Sequence, residues 1–128
     1  MKFENANDIK GRLNNLVGIL QMGHVDIQRI FCIRSYESKS KALARIWSFP
    51  KIWQSALNMK AHYVIEVISN KFDKLSKEEQ DKTLIHELMH IPKSFGGGLV
   101  PHKSFGKHID DKKIEEMYKI YKYNLKEK

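Results

Sequence analysis

The sequence predicts an α+β domain in which helices pack on a small, mostly antiparallel or mixed sheet. Apolar residues recur at helical spacing near both ends of the chain, and short runs rich in β-branched residues lie between them. A helix-capping motif then opens a further helix in the second half, so the strands are grouped rather than regularly alternating with helices. With 128 residues, the chain has the length of one domain, and we expect residues 1–128 to form it.

The first element is an amphipathic helix that begins at Asn7, a residue type that caps helix N-termini. Its apolar residues share one face that we expect to pack on the sheet: Ile9, Leu13, Leu16, Val17 and Leu20. Gly23 stands where such a helix would end.

Three segments have the composition of strands: 27–34, 42–47 and 63–69. The third, Tyr-Val-Ile-Glu-Val-Ile-Ser, has the strongest strand propensity in the chain. Residues 51–58 predict a short helix or an ordered loop with Trp53 and Leu57 facing inward, and Trp47 is expected in the core as well.

The next helix begins at a capping box, in which Ser76 and Glu79 can each satisfy a free backbone N–H of the other. Pro92 cannot continue a helix, so this one is expected to end near Ile91. Three consecutive glycines, 96–98, predict a flexible turn, and Asp110 or Asp111 caps the last helix. That helix carries an apolar stripe: Ile114, Met117, Tyr118, Tyr121 and Leu125.

The capped helix contains the motif H-E-x-x-H, formed by His86, Glu87 and His90. Residues four apart lie on one helix face with Cβ atoms about 5–6 Å apart, so both imidazoles can reach one zinc ion at about 2.0–2.1 Å. Glu87 lies one step around the helix from His86, where it can take a proton from a water that zinc activates. The spacing therefore predicts a catalytic zinc site.

A catalytic zinc site needs a third protein ligand, and the sequence offers several. His102 lies 12 residues after His90, beyond a glycine-containing loop that can return it to the helix. His108 is an alternative, and Glu115 or Glu116 would suit a His-His-Glu site. The shorter H-E-x-x-H-x-x-G-x-x-H pattern is absent, because position 96 is glycine.

The stretch Leu-Ile-His-Glu-Leu-Met-His-Ile-Pro at 84–92, followed by Pro-His-Lys-Ser-Phe at 101–105, resembles the predicted metallopeptidases of archaea and phages over about residues 42–121. More distantly, it is similar to SprT and Wss1-like zinc proteases through the motif, His102 and Phe105. The resemblance implies a minimal zincin fold and a zinc peptidase of the gluzincin or SprT-like kind, more an endopeptidase than an exopeptidase. It also implies that His86, His90 and His102 bind zinc and that Glu87 is the base.

The mechanism requires two further elements that the sequence does not fix. In zincins the strand before the motif helix often pairs with substrate, which makes 63–69 the candidate, although it can equally be an ordinary internal strand. A donor to the transition state is also expected. Tyr118, Tyr121 and His108 are available, but core packing suits the tyrosines better.

The chain is basic, with 23 Lys and Arg against 15 Asp and Glu, and carries a formal charge of +8. This charge serves solubility, and it also permits a nucleic-acid partner beside the protein or peptide substrate. Two alternatives follow: a nucleic-acid-associated module with a structural His-bound zinc, or a protease acting on DNA-bound proteins. Cys32 is the single cysteine, no apolar run approaches a membrane span and no leader is evident, so we expect a cytoplasmic protein with no membrane partner.

Overall fold

The computed structural model describes residues 1–104 and 107–126 and confirms the α+β class. Within these ranges the chain forms six strands and five helices, in the order β1 (Lys2–Asn5), α1 (Asn7–Ile19), β2 (Ile30–Tyr36), β3 (Ala44–Trp47), α2 (Lys51–Leu57), β4 (Tyr63–Ile68), α3 (Ser69–Phe72), α4 (Lys77–Met89), β5 (Lys103–Ser104), β6 (Lys107–His108) and α5 (Asp111–Lys126). No helix in this described part of the chain has both the length and the apolar character that crossing a membrane requires.

Four strands form one open, mixed sheet in the order β1-β2-β4-β3. Strands β2 and β4 are parallel, with Ile30 opposite Tyr63, whereas β1 and β3 pair antiparallel with their neighbours. The β-branched strand β4 takes an inner position, where Ile65 and Val67 are fully buried. Strand β3 therefore forms one edge of the sheet.

Helices α1, α4 and α5 contribute the apolar residues that pack with the sheet into a single cluster. The stripes predicted from helical spacing provide most of its helical members: Ile9, Leu13 and Leu16 of α1, Leu84 and Leu88 of α4, and Ile114, Tyr118 and Tyr121 of α5. Cys32 is buried among them. An ion pair of 2.7 Å between Arg12 and Asp81 joins α1 to α4.

The ends of α1 differ from the prediction. The capping residue is Ala6 rather than Asn7, because the Ala6 N–H donates to the Cys32 carbonyl and the chain passes from β1 directly into the helix. At the other end, Gln21 adopts the left-handed conformation (φ 54°) expected of Gly23. The helix therefore ends at Ile19, before the predicted stop.

The strand boundaries also moved. Strand β1 was not predicted, because all four of its residues are exposed and show no apolar alternation. Strand β2 begins at Ile30 rather than residue 27, because Ile27–Arg29 form a 3₁₀ turn capped by the Asp26 side chain. It then extends to Tyr36, two residues beyond the predicted end of the strand at residue 34.

The expectation that three large apolar residues in and before α2 face inward was wrong. Trp47, Trp53 and Leu57 are each about half exposed. Helix α2 is attached to the body through the polar side chain of Gln54, not through an apolar face. Leu125, expected in the stripe of α5, is also exposed, because it lies in the last turn of that helix.

Candidate metal centre

Helix α4 places the two histidines of the motif near its C-terminal end. Ser76 caps the helix as predicted, accepting from the Glu79 N–H at 3.2 Å. The helix ends at Met89, with His90 as its C-terminal capping residue, slightly before the predicted end. One helical turn separates His86 from His90, and their ring centroids are 5.1 Å apart.

The chain returns His102 to this helix, so the structure brings the three predicted ligands together. The Val100 N–H donates to the His90 carbonyl at 2.7 Å, which joins the returning segment to the end of α4. His102 Nε2 then lies 2.9 Å from His86 Nε2. One nitrogen from each of His86, His90 and His102 lies within 4.8 Å of the other two.

The donor set fits a metal ion that binds imidazole nitrogen. Nδ1 of His90 lies 2.6 Å from the Val100 carbonyl oxygen, to which it donates, so Nε2 is left to face a metal. Burial lowers the pKa of His86, and the neighbouring imidazoles lower it further. Burial also lowers the pKa of His90. Both rings therefore favour the neutral form in which imidazole binds metals.

Glu87 follows His86 in α4 and is buried, with 7% of its surface exposed. Burial raises the pKa of its carboxyl group from 4.5 to about 7, because a charged carboxylate is poorly solvated there. A carboxyl group with a pKa near neutrality can both accept and release a proton at physiological pH. The role of general base for Glu87 stays a prediction.

Tyr63 holds the glycine loop that leads to His102. Its hydroxyl donates to the Gly98 carbonyl at 2.7 Å and accepts from the Gly97 N–H at 3.0 Å. The ring itself is buried in the core at the start of β4. Strand β4 thus holds the glycine loop through the hydroxyl group of Tyr63.

Gln54 and Phe49 hold the same loop from the side of α2. The Gln54 amide donates to the Phe49 and Gly96 carbonyls at 2.8 and 3.0 Å, and the Phe49 N–H donates to the Gly97 carbonyl at 2.9 Å. Gly97 has φ +98°, and a Cβ there would lie 2.2 Å from the Phe49 oxygen. Only glycine fits this position. The turn, which was expected to be flexible, therefore has a conformation that is defined by these contacts.

The hairpin of β5 and β6 follows His102 directly. The His102 carbonyl accepts from the Ile109 N–H at 3.0 Å, so the backbone of His102 is joined to the segment that follows the hairpin. His108 belongs to β6, but its side chain lies outside the described residues. Phe105, which contributed to the resemblance to SprT, also lies outside them.

The carboxylates considered as third ligands lie elsewhere. Glu115 forms an ion pair with Lys82. Glu116 lines a cavity of about 750 Å³ between the ends of α1, α4 and α5. Among the side chains that the structure describes, neither belongs to the histidine cluster.

The candidate transition-state donors Tyr118 and Tyr121 are buried members of the apolar core, as core packing predicted. The proposed substrate strand was wrong. Strand β4 is hydrogen-bonded to β2 on one side and to β3 on the other, so it has no edge to offer. It is the internal strand that the sequence left as the alternative.

Sequence reasoning missed the residues that position His102. The triple glycine was a signal, because glycine is required where φ is positive or where two backbones approach closely. Nothing in the sequence connects it with Tyr63 or Gln54, which are distant in the chain. The Val100 contact to His90 involves its backbone carbonyl, which any residue carries.

Two histidines of an H-E-x-x-H motif on a helix, with a third histidine from later in the chain close to both, are typical of metal-dependent hydrolases. The fold and the site place the protein in this class. The sequence model of a family described as "Putative phage metallopeptidase" matches residues 1–123, and the chain belongs to this family. Comparison with curated proteins and with solved structures gave no match. The resemblance to SprT and Wss1-like proteases therefore stays a prediction.

Proposed function

We propose that the protein is a zinc-dependent endopeptidase in which His86, His90 and His102 hold the metal and Glu87 is the general base. One observation carries this proposal: three imidazole nitrogens converge within 4.8 Å of one another, and the buried Glu87 follows the first of these histidines in the chain. Membership of a metallopeptidase family supports the same reaction class.

Zinc is the metal that suits this donor set best, because imidazole nitrogens with an oxygen donor are a common catalytic zinc environment. A structural zinc site would have four protein ligands, whereas the cluster in the described residues has three. The fourth position can then serve water or substrate. When bound, zinc would supply a Lewis acid that acidifies water and polarises the scissile carbonyl.

The side chains of the site perform the remaining steps. Glu87 takes the proton from the attacking water and later delivers it to the leaving amine. Its buried position keeps its pKa near 7, so the carboxyl group is suited to both transfers. The Val100 carbonyl orients the His90 ring through Nδ1.

The outer edge of β3 replaces β4 as the proposed substrate strand. In the described residues, β3 pairs only with β4, so its other edge presents unpaired backbone groups. An extended peptide can add to such an edge through main-chain hydrogen bonds. Pairing of this kind does not require a free chain end, so it suits cleavage within a chain more than trimming of its end.

The substitution Glu87→Gln tests the proposal, because it keeps the shape of the side chain and removes the base. We expect the zinc-loaded variant to retain its metal and to lose at least about 100-fold in kcat on an unfolded protein such as casein. Glu79→Gln, on the exposed surface of the same helix, is the matched control and should keep full activity.

Full activity in Glu87→Gln would eliminate Glu87 as the base. If the wild-type protein binds zinc and DNA but hydrolyses no polypeptide, the peptidase proposal fails. The module with a structural zinc would then be supported instead.

A further inference from the structure

Helix α2 is amphipathic, but its apolar face is the one turned away from the rest of the protein. Four apolar residues lie within an arc of about 140° around the helix: Ile52, Trp53, Ala56 and Leu57. The exposed fractions of the three larger ones are 78%, 56% and 51%. The side chain that faces the body is Gln54, which binds two backbone carbonyls. The apolar face therefore points into solvent.

This apolar face continues to the loop that delivers His102. Met59 follows the helix and is 41% exposed. A cavity of about 360 Å³ separates the start of α2 at Lys51 from the loop 96–99, and Leu99 lines its other side with the same exposure as Met59. We call Ile52, Trp53, Leu57, Met59 and Leu99 the α2 surface. Its far end lies three residues before His102.

The segment of the chain that contains α2 has basic residues but no acidic ones. Residues 38–65 contain no Asp or Glu but five Lys or Arg, which is a large part of the total charge of +8. Lys51 and Lys60 flank α2 and are exposed. Arg45 is already paired with Glu66. An occupant of this surface should therefore combine apolar side chains with negative charge.

We propose that the α2 surface is the docking site for polypeptide substrates whose segments combine apolar and acidic side chains. This inference rests on the proposed peptidase function and adds its substrate class. Strand β3 ends at Trp47, four residues before α2 begins, so we expect a peptide paired with the edge of β3 to continue near this surface. A second copy of the chain is a poor occupant, since Lys51 and Lys60 of both copies would be brought together.

Two properties favour a polypeptide over single-stranded nucleic acid. Nucleic acid needs aromatic platforms for base stacking, whereas only Trp53 of the five members of the surface is aromatic. The aliphatic members instead match the apolar side chains of an unfolded protein segment.

The test measures binding separately from hydrolysis. Zinc-loaded Glu87→Gln protein is titrated with two fluorescently labelled peptides of equal length, one containing Leu, Phe, Asp and Glu, the other containing Ser, Gly and Gln. We expect the first peptide to bind at least about tenfold more tightly. The added changes Ile52→Gln and Leu57→Gln should remove that preference, because two large apolar contacts are lost. Ile120→Gln, a similarly exposed apolar position on α5, is the control and should leave it unchanged.

Equal affinity of both peptides, or an unchanged preference in the α2 variant, would overturn the inference. Titrations with vesicles containing an anionic lipid and with oligo-dT provide the other comparison. Tighter binding to either one than to the acidic peptide, lost in the α2 variant, would assign the surface to a membrane or to nucleic acid. Because binding is measured in a variant without the base, failure of docking remains distinguishable from failure of the peptidase function.

Discussion

Replacing Gly97 with alanine perturbs the loop that brings His102 to helix α4. Gly97 has φ +98°, and an added Cβ would lie 2.2 Å from the Phe49 carbonyl oxygen and 2.4 Å from Gln54 Nε2. The first of these atoms belongs to the backbone, so the clash cannot be relieved by a change of side-chain rotamer. The loop must move away from α2.

The loss of stability in Gly97→Ala follows from the backbone conformation that would be strained and the hydrogen bonds that would be lost. A non-glycine residue in such a conformation costs about 1–3 kcal/mol. The Gly97 carbonyl and N–H each make one hydrogen bond, to Phe49 and Tyr63, worth about 1 kcal/mol apiece. We expect the free energy of unfolding to fall by about 3–5 kcal/mol. Zinc affinity should fall by at least about tenfold, because His102 is no longer held in place.

Urea unfolding of the metal-free protein measures the first effect, and competition with a chromophoric chelator measures the second. Gly98→Ala is the matched control, since a Cβ there meets no atom within 4 Å. Its stability should stay within about 0.5 kcal/mol of the wild type. Wild-type stability and zinc affinity in Gly97→Ala would refute the reasoning that this loop positions His102.

Two further predictions follow from the same region. Tyr63→Phe removes the hydroxyl between Gly97 and Gly98, so stability should fall by about 2 kcal/mol and zinc affinity by about tenfold or more; an unchanged zinc titration would contradict this. Glu87→Gln should stabilise the metal-free protein at pH 8. The folded protein holds the Glu87 proton more tightly than the unfolded chain, so wild-type stability is lost as pH rises from 4.5 to about 7. The difference corresponds to up to about 3 kcal/mol at pH 8 and should vanish near pH 4, as urea unfolding at both pH values would show. Equal stability at pH 8 would count against the burial of a charged Glu87.

The elements that the sequence predicts well are those whose pattern depends on local chemistry. The spacing of Leu84 and Leu88 and the cap at Ser76 both describe α4, and the structure shows the helix with these contacts. Once this helix forms, the two histidines of the motif lie on the same face of it. Their placement was accessible because four residues make about one helical turn.

The parts that could not be predicted depend on contacts between distant residues. Strand β1 exists because it pairs with β2, not because of its own composition. The choice of His102 depends on a loop held by Tyr63 and Gln54, and single-sequence spacing does not reveal such contacts.

Strand propensity also proved to be a poor guide to substrate pairing. The strongest strand, β4, is β-branched because it is central and buried, and these properties deny it a free edge. The two edges of the sheet are β1 and β3, and β3 has only four residues and a weaker pattern. Which strand lies at an edge is a property of the whole sheet.

X-ray absorption at the zinc K edge tests the central claim most directly, because it counts the imidazoles bound to the metal. For the zinc-loaded protein, we expect three imidazoles and at least one further oxygen ligand, with zinc–ligand distances of about 2.0–2.1 Å. His102→Ala should lower the count to two imidazoles. A wild-type site of four imidazoles, or an unchanged count in His102→Ala, would contradict a catalytic zinc centre built from His86, His90 and His102.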